Sequence, residues 1–181
     1  MNFDHFTIKQ LQKEDVLDYF QFIDSNRDRI AQYFPTTIEK IEDIESTDSY
    51  IASKIELSNK KESFYFIIID TLKKKISGSL ILKNLDWNVQ KCEISYFIDK
   101  KYEGKGITTK ALSQLTGYCF KELKLNKAYL RIAKDNSPSI RVAEKNGFER
   151  EGILHQDFKL TNGNCIDVIF YGLLTPYKKI I

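Results

Sequence analysis

ISYFIDKKYEGKGIT, residues 94–108, has a strand pattern that leads into a loop with two glycines, Gly104 and Gly106. The apolar side chains after this loop recur at helical spacing, which predicts that the loop opens a long helix. Glycine lets successive backbone N–H groups face one point, and a helix N-terminus adds free N–H groups with partial positive charge. The segment therefore predicts a phosphate-binding loop, to which Lys101 and Lys105 add positive charge.

Three known phosphate-binding motifs can be compared with this loop. The Walker A motif, G-x-x-x-x-G-K-[ST], fails because Lys105 precedes Gly106 and the first glycine is missing. The dinucleotide motif, G-x-G-x-x-G, fails at its third glycine, where Thr109 stands. The coenzyme A pyrophosphate motif, Q/R-x-x-G-x-G/A, fits residues 101–106, with Lys101 in place of Gln or Arg. On this loop alone, an incidental Gly-Lys-Gly turn at the start of a helix is the alternative interpretation.

The elements on either side of the loop predict an α/β (α+β) fold with a mixed sheet, in the order β-α-α-β-β-β-α-β-α-β-β. The predicted strands span residues 3–9, 64–71, 75–86, 91–99, 127–133, 148–160 and 164–174. The helical stretches span residues 14–33, 38–58, the segment after the loop and residues 137–146. Short gaps between the three central strands favour antiparallel hairpins, and Pro35 is expected to end the first helical stretch.

Two further patterns refine this order. The pair Asn162-Gly163 predicts a hairpin turn between the last two strands. The second helical stretch has apolar residues at helical spacing, so they are expected to share one face. These residues are Ile41, Ile44, Ile51 and Ile55.

Length and composition favour a single domain over residues 1–181, with no metal site and no affinity for nucleic acid or membrane. A chain of 181 residues that is 42% hydrophobic can bury one sizeable core. The net charge of +3 is too small for a nucleic-acid-binding face, and no apolar run approaches the ~20 residues of a membrane span. Cys92, Cys119 and Cys165 lack metal-ligand spacing. Their odd number, with no signal-peptide pattern at the start, favours the reducing cytoplasm.

A second motif follows about thirty residues after the loop and makes the chain resemble a known family. Residues 136–148 read N-x-x-S-x-x-V-A-E-K-N-G-F, residues 104–112 read GKGITTKAL, and residues 149–152 read EREG. Together with NLDWNVQKCEISYFI at residues 84–98, these segments resemble the GNAT superfamily of acetyltransferases. Within it they are similar to the RimJ/RimL-type group of ribosomal-protein N-terminal acetyltransferases. The resemblance covers residues 75–175 well and the first 60 residues only loosely.

The resemblance implies a GNAT-like fold with a mostly antiparallel central sheet, and acetyl-CoA as the co-substrate. In that family the strand before the loop separates from its neighbour, and the pantetheine arm binds along the exposed edge. Tyr96, Phe97 and Ile98 would supply the main-chain groups for the arm here. Asn136 would also bind the arm, although Asn is a good N-cap and its position fits that structural role as well. The pyrophosphate would bind the loop residues Lys101, Glu103, Gly104, Lys105, Gly106, Ile107 and Thr108.

Catalytic residues are less clearly marked. Many GNAT enzymes have a tyrosine as general acid four residues before the Gly-Phe pair, and Ala143 stands there in this chain. In the RimJ/RimL-like group the serine of N-x-x-S lies near the thioester, which makes Ser139 a candidate catalytic residue. The alternative is a purely structural role, in which Ser139 forms local hydrogen bonds at the start of the helix. Strand alternation puts Glu93, Ser95 and Phe97 on one face. Glu93 is therefore a candidate base, or alternatively a solvent-facing carboxylate opposite a lysine.

The sequence thus predicts an N-acetyltransferase that acts on the N-terminal α-amine of a protein, for instance a ribosomal protein. Two alternatives stay open: acetylation of a small amine such as a polyamine, an amino sugar or an antibiotic, and a non-catalytic coenzyme A-binding module. A homodimer is expected because the family often forms one.

Overall fold

The computed structural model describes residues 1–176 and is built around an eight-stranded sheet. The strands are β1 Asn2–Phe3, β2 Phe6–Gln10, β3 Phe64–Asp70, β4 Lys75–Asp86, β5 Lys91–Ile98, β6 Lys127–Ala133, β7 Glu149–Lys159 and β8 Cys165–Leu174. Their order across the sheet is β1-β2-β3-β4-β5-β6-β8-β7. The helices are α1 Val16–Asp24, α2 Arg27–Ile30, α3 Pro35–Lys40, α4 Ile44–Asn59, α5 Ile107–Lys121 and α6 Ser137–Lys145. Two short 3₁₀ turns span Lys13–Asp15 and Lys100–Tyr102.

The sheet is antiparallel except at one pair of strands, β5 and β6, which run parallel. Their pairing covers three residues of each strand and ends where Glu93 faces Tyr129. Beyond that point β5 stays paired with β4, and β6 stays paired with β8. The two strands therefore separate and leave an opening in the middle of the sheet, which we call the interstrand gap. The expected mixed, mostly antiparallel fold is confirmed.

Helices cover both faces of the sheet, and alternation along β5 assigns its side chains to one face or the other. Ile94 packs in a cluster with Ala111, Leu112 and Leu115 of α5. Phe97 packs in a separate cluster that contains α1 and α4 side chains, among them Phe22, whose ring stacks on it at 4.9 Å. Consequently Glu93 and Ser95, which alternate with Ile94, lie on the same face of the sheet as α1–α4.

The first 60 residues differ from the prediction because both predicted helical stretches are broken. The first ends at Asp24, since Asn26 leaves the helical conformation and its side-chain amide bonds to the carbonyl of Phe22 at 2.9 Å. Pro35 begins α3 rather than ending a helix, which suits a residue without an N–H group.

The second break lies between α3 and α4, where Asp43 caps α4 by accepting a hydrogen bond from the amide of Ser46 at 2.8 Å. Ile41 is buried before this cap, whereas Ile44 is 50% exposed at the first position of α4. The prediction that Ile44 shares the apolar face was therefore wrong. The first strand also differs, because the chain turns within it and forms the two short strands β1 and β2.

The predicted hairpins are present. The strands β3, β4 and β5 form consecutive antiparallel pairs, and β7 pairs with β8 across the turn that contains Gly163, at φ +87°. No helix within residues 1–176 is long and apolar enough to cross a membrane. Within the same range, no group of three or more His, Cys, Asp or Glu side chains is placed to hold a metal ion.

Candidate active site

The interstrand gap opens into a cleft of about 960 Å³ that connects the glycine loop with the face of the sheet covered by α1–α4. Its wall is formed by residues 93–98 of β5, 130–133 of β6, 102–104 of the loop and 106–109 at the start of α5. Other parts of the chain contribute further wall residues, among them Arg29, Tyr33, Phe34, Lys83, Asn136, Ser139 and Phe158. The cleft thus gathers most of the site residues predicted from the sequence, together with residues that the sequence did not indicate.

The glycine loop has the conformation that an anion-binding loop requires. Gly104 and Gly106 have φ values of +71° and +74°, which lie in the left-handed region that residues other than glycine rarely adopt. Gly106 is the N-cap of α5, so the first free amides of this helix lie beside the cleft. A β-carbon built at either glycine would meet no atom within 4 Å. Glycine is therefore favoured at these positions by the backbone conformation and not by packing within the protein. A side chain at either position would project into the open space above the loop.

Two of the amides expected to bind pyrophosphate are already used inside the loop. The amide of Lys101 donates to the carboxylate of Asp99 at 2.7 Å, and the amide of Glu103 donates to the carbonyl of Lys100 at 3.3 Å. Of the amides expected to bind pyrophosphate, those from Gly104 onward therefore remain available to a ligand.

The side chains of Lys101 and Lys105 do not form the wall of the cleft. Lys105 donates from Nζ to the carbonyl of Lys101 at 2.7 Å, and its charge lies over the ring of Tyr102 at 5.5 Å. Both lysines are exposed, so they contribute positive potential at the mouth of the loop rather than contacts inside it.

The main chain of β5 presents hydrogen-bonding groups to the gap at alternate residues. The amide of Asp99 bonds to the carbonyl of Ser77 on β4, so the main-chain groups of Phe97 also face β4. Those of Tyr96 and Ile98 face the gap, and the carbonyl of Ile98 accepts a hydrogen bond from the Arg29 guanidinium there. Of the three residues predicted to bind the pantetheine arm through the main chain, the geometry suits Tyr96 and Ile98 and directs Phe97 towards β4.

The start of α6 forms the opposite wall of the cleft. Asn136 caps this helix, because its Oδ1 accepts a hydrogen bond from the amide of Ser139 at 3.1 Å. The hydroxyl of Tyr96 donates to the carbonyl of Ser139 at 3.4 Å and so links β5 to α6 across the gap. Burial raises the pKa of Tyr96 to about 12, which keeps this phenol protonated at neutral pH. Asn136 and Ser139 are both half-buried and line the cleft.

Glu93 is buried at the other end of the cleft, at 3% exposure, and is surrounded by donors. Its carboxylate accepts from Nζ of Lys83 at 3.2 Å, from Nε of Arg131 at 3.1 Å and from Nδ2 of Asn84 at 2.8 Å. Arg131 also pairs with Asp157 at 2.7 Å. Burial disfavours the charge of Arg131, but its bonds to Asp157 and Glu93 outweigh this effect and raise its pKa. Glu93 does face a lysine, as one interpretation of the sequence had it, but it does not face solvent.

Several wall residues were not indicated by the sequence. Arg29 of α2 bonds to Glu103 of the loop as well as to Ile98. Tyr33, beside α3, lies against Phe158 of β7 with ring centroids 6.4 Å apart. The pairing of β7 with β8 shifts register just before Phe158, which brings Asp157 beside Arg131. Nothing in the local sequence of these residues indicates that they meet.

The two buried cysteines are unsuited to act as nucleophiles. The sulfur atoms of Cys92 and Cys119 lie 4.0 Å apart in the core. The contact with Cys92 and the burial of the thiol raise the pKa of Cys119 well above its usual value, which disfavours the reactive thiolate of Cys119.

A gap between two parallel strands, an open loop of amides at a helix start and a cleft that joins them define a coenzyme A-dependent acyltransferase. The sequence profile described as the acetyltransferase (GNAT) domain matches residues 5–149. The chain therefore belongs to the GNAT family of N-acetyltransferases and uses acetyl-CoA as co-substrate. The predicted family, fold, enzyme class and co-substrate are thus confirmed.

The proteins similar to this chain include some that are named for two different kinds of acceptor. YdaF of Bacillus subtilis, called a putative ribosomal N-acetyltransferase, is 32% identical over 94% of this chain and 92% of its own length. The spermidine N(1)-acetyltransferase of Vibrio cholerae is 25% identical over 90% of this chain and 88% of its own length. The crystal structure of the ribosomal-protein-S5-alanine acetyltransferase from Vibrio fischeri has the same fold, with a TM-score of 0.91 at 23% identity. That superposition covers 99% of this chain and 98% of the other.

Proposed function

We propose that this enzyme transfers the acetyl group of acetyl-CoA to the N-terminal α-amine of a protein, with a ribosomal protein as the preferred acceptor. Such an acceptor places the enzyme in the cytoplasm. The observation that carries the proposal is the charge balance on the acceptor side, by which we mean the end of the cleft formed by Tyr33, Lys83, Glu93, Arg131 and Phe158.

The charges on the acceptor side compensate one another. The buried carboxylate of Glu93 is bound by the two cations Lys83 and Arg131, and Arg131 is bound in turn by Asp157. A polyamine carries several positive charges, so a polyamine site needs carboxylates that are free of other cations. Because the carboxylates of Glu93 and Asp157 already have cationic partners, the acceptor side suits a single amine that is neutral when it reacts.

The ionisation of amines supports the same acceptor. An α-amine has a pKa of about 7.7–8.0, whereas a lysine amine has one of about 10.4. At pH 7.4 roughly a quarter of α-amines are therefore neutral, against about one lysine amine in a thousand. A site that does not have to remove a proton before the reaction starts favours the α-amine.

The transfer follows from where these groups lie. The neutral amine attacks the thioester carbonyl, the C–N bond forms, and the C–S bond breaks with release of coenzyme A thiolate. The carboxylate of Glu93 accepts the proton that the new amide loses, through one water molecule. The hydroxyl of Ser139, at the start of α6, donates a hydrogen bond to the departing sulfur. The gap-facing amides of Tyr96 and Ile98 hold the pantetheine arm in line with the attack.

The proposal is tested by following release of free coenzyme A thiol with three acceptors at equal concentration. These are a peptide with a free N-terminus and no lysine, the same peptide with an acetylated N-terminus and one internal lysine, and spermidine. We expect the first to have the highest kcat/KM, by tenfold or more. Preferential turnover of spermidine would instead support the activity named for the Vibrio cholerae relative, and preferential turnover of the lysine peptide would overturn the α-amine preference.

A further inference from the structure

Ser95 has a buried hydroxyl that the hydrogen bonding of the fold leaves unused. Its Oγ is closed off from solvent and has no hydrogen-bond partner within residues 1–176. A buried hydroxyl without a partner costs free energy, and native structures contain few of them. One other serine of the described residues, Ser63, has a buried Oγ without a hydrogen bond of normal geometry, but this hydroxyl interacts with the Tyr65 phenol; it lies just before β3 and is not part of the cleft wall.

The other buried serines of the central strands show what a structural hydroxyl does in this sheet. Ser77 and Ser79 lie on β4, both almost completely buried. Ser77 donates from Oγ to the carbonyl of Ile68 at 3.0 Å, and Ser79 donates to the carbonyl of Phe66 at 3.2 Å. A strand serine in this protein can therefore satisfy its hydroxyl on the neighbouring strand. Ser95, on the strand next to them, does not.

The position of Ser95 explains the difference. It lies on β5 between Glu93 and Phe97, and all three side chains share one face of the strand and line the cleft. Glu93 is bound by its cations and Phe97 is stacked on Phe22, so neither takes up the serine hydroxyl. Ser95 itself is only partly buried as a residue. Rotation about its Cα–Cβ bond turns Oγ into the cleft, beside the end of the gap where the acetyl group must lie.

We propose that the Ser95 hydroxyl binds the acceptor amine of the reaction by accepting a hydrogen bond from its N–H. This bond directs the nitrogen lone pair at the thioester carbonyl and places the amine next to the water that leads to Glu93. The inference rests on the proposed function for the reaction class but not for the identity of the acceptor, because every amine acceptor offers an N–H. Ser95 is thus a substrate-binding residue whose partner is missing from the free protein because that partner is the substrate.

The test compares Ser95→Ala with Ser63→Ala, which removes a buried hydroxyl away from the cleft, beside Tyr65. Ser95→Ala loses no hydrogen bond of the fold, so it should melt at or above the wild-type temperature. Only Ser95→Ala should lower kcat/KM for the acceptor, by roughly 3- to 10-fold for one hydrogen bond. The affinity for acetyl-CoA, measured by calorimetry, should be unchanged in both. Ser95→Thr, which retains a hydroxyl, should recover part of the lost kcat/KM.

The kcat/KM values are measured with the N-terminal peptide or with spermidine, whichever the wild-type enzyme acetylates faster. The role of Ser95 is therefore tested even if the enzyme does not prefer the N-terminal peptide. Wild-type kcat/KM in Ser95→Ala would overturn the inference. A clear fall in melting temperature in Ser95→Ala, of the size produced by Ser77→Ala, would also overturn it, since that result would show that the hydroxyl has a structural partner.

Discussion

Replacement of Gly106 by tryptophan tests the assignment of the cofactor loop. The residue has a φ of +74° and caps α5, and a β-carbon there would project into open space at the cleft. The fold should therefore tolerate the side chain sterically, while the space above the loop amides is filled.

Two magnitudes follow from this geometry. A side chain in the left-handed conformation costs about 1–2 kcal/mol, which lowers the melting temperature of a chain of this size by about 2–8 °C. Loss of even one amide hydrogen bond to a charged phosphate costs about 1.5–3 kcal/mol, which weakens acetyl-CoA binding by roughly 10- to 150-fold. The tryptophan covers more than one amide, so the loss of affinity should be at least this large.

Gly163→Trp is the matched control for this prediction. Gly163 has a φ of +87°, and a β-carbon there also meets no atom within 4 Å, but it lies in the turn between β7 and β8, away from the cleft. Both variants should lose similar thermal stability, and calorimetry should show lost acetyl-CoA affinity only in Gly106→Trp. A folded Gly106→Trp protein that binds acetyl-CoA as tightly as wild type would refute the assignment of the loop.

The remaining predictions concern catalysis and assembly. Ser139→Ala and Glu93→Gln should each lower kcat by about 10²-fold or more with little change in acetyl-CoA affinity, and wild-type kcat across pH 6–9 in either variant would exclude that residue from the mechanism. For a peptide acceptor, kcat/KM should rise with pH as the α-amine loses its proton and level off above pH ~8. Because the pKa of Tyr96 is raised to about 12, this phenol stays protonated throughout and no decline should appear below pH 9; a decline there would indicate another essential acid. Light scattering at high micromolar concentration should detect a homodimer, and a monomer would end that expectation.

The candidate site shows which of its parts a linear sequence can reveal. The loop and the start of α6 were recognised because their chemistry is local: glycines at positive φ, a helix start and an Asn cap all involve neighbours within a few residues. The alternation of β5 was likewise readable, since period two in an extended strand separates Glu93 from Ile94. The break in the first predicted helical stretch was missed because it depends on Asn26, whose amide also bonds to Asp99, 73 residues further along the chain.

What the sequence by itself determined was the family, the order of the main elements and the conformation of the glycine loop, which we predict to bind coenzyme A, because each depends on backbone geometry that a short motif specifies. Only the tertiary structure decided the acceptor side of the cleft. The separation of β5 from β6, the two cations on Glu93 and the approach of Asp157 to Arg131 join residues from four strands. Such contacts depend on strand register and on where two strands part, and those are set by packing of the whole sheet rather than by any neighbouring residue.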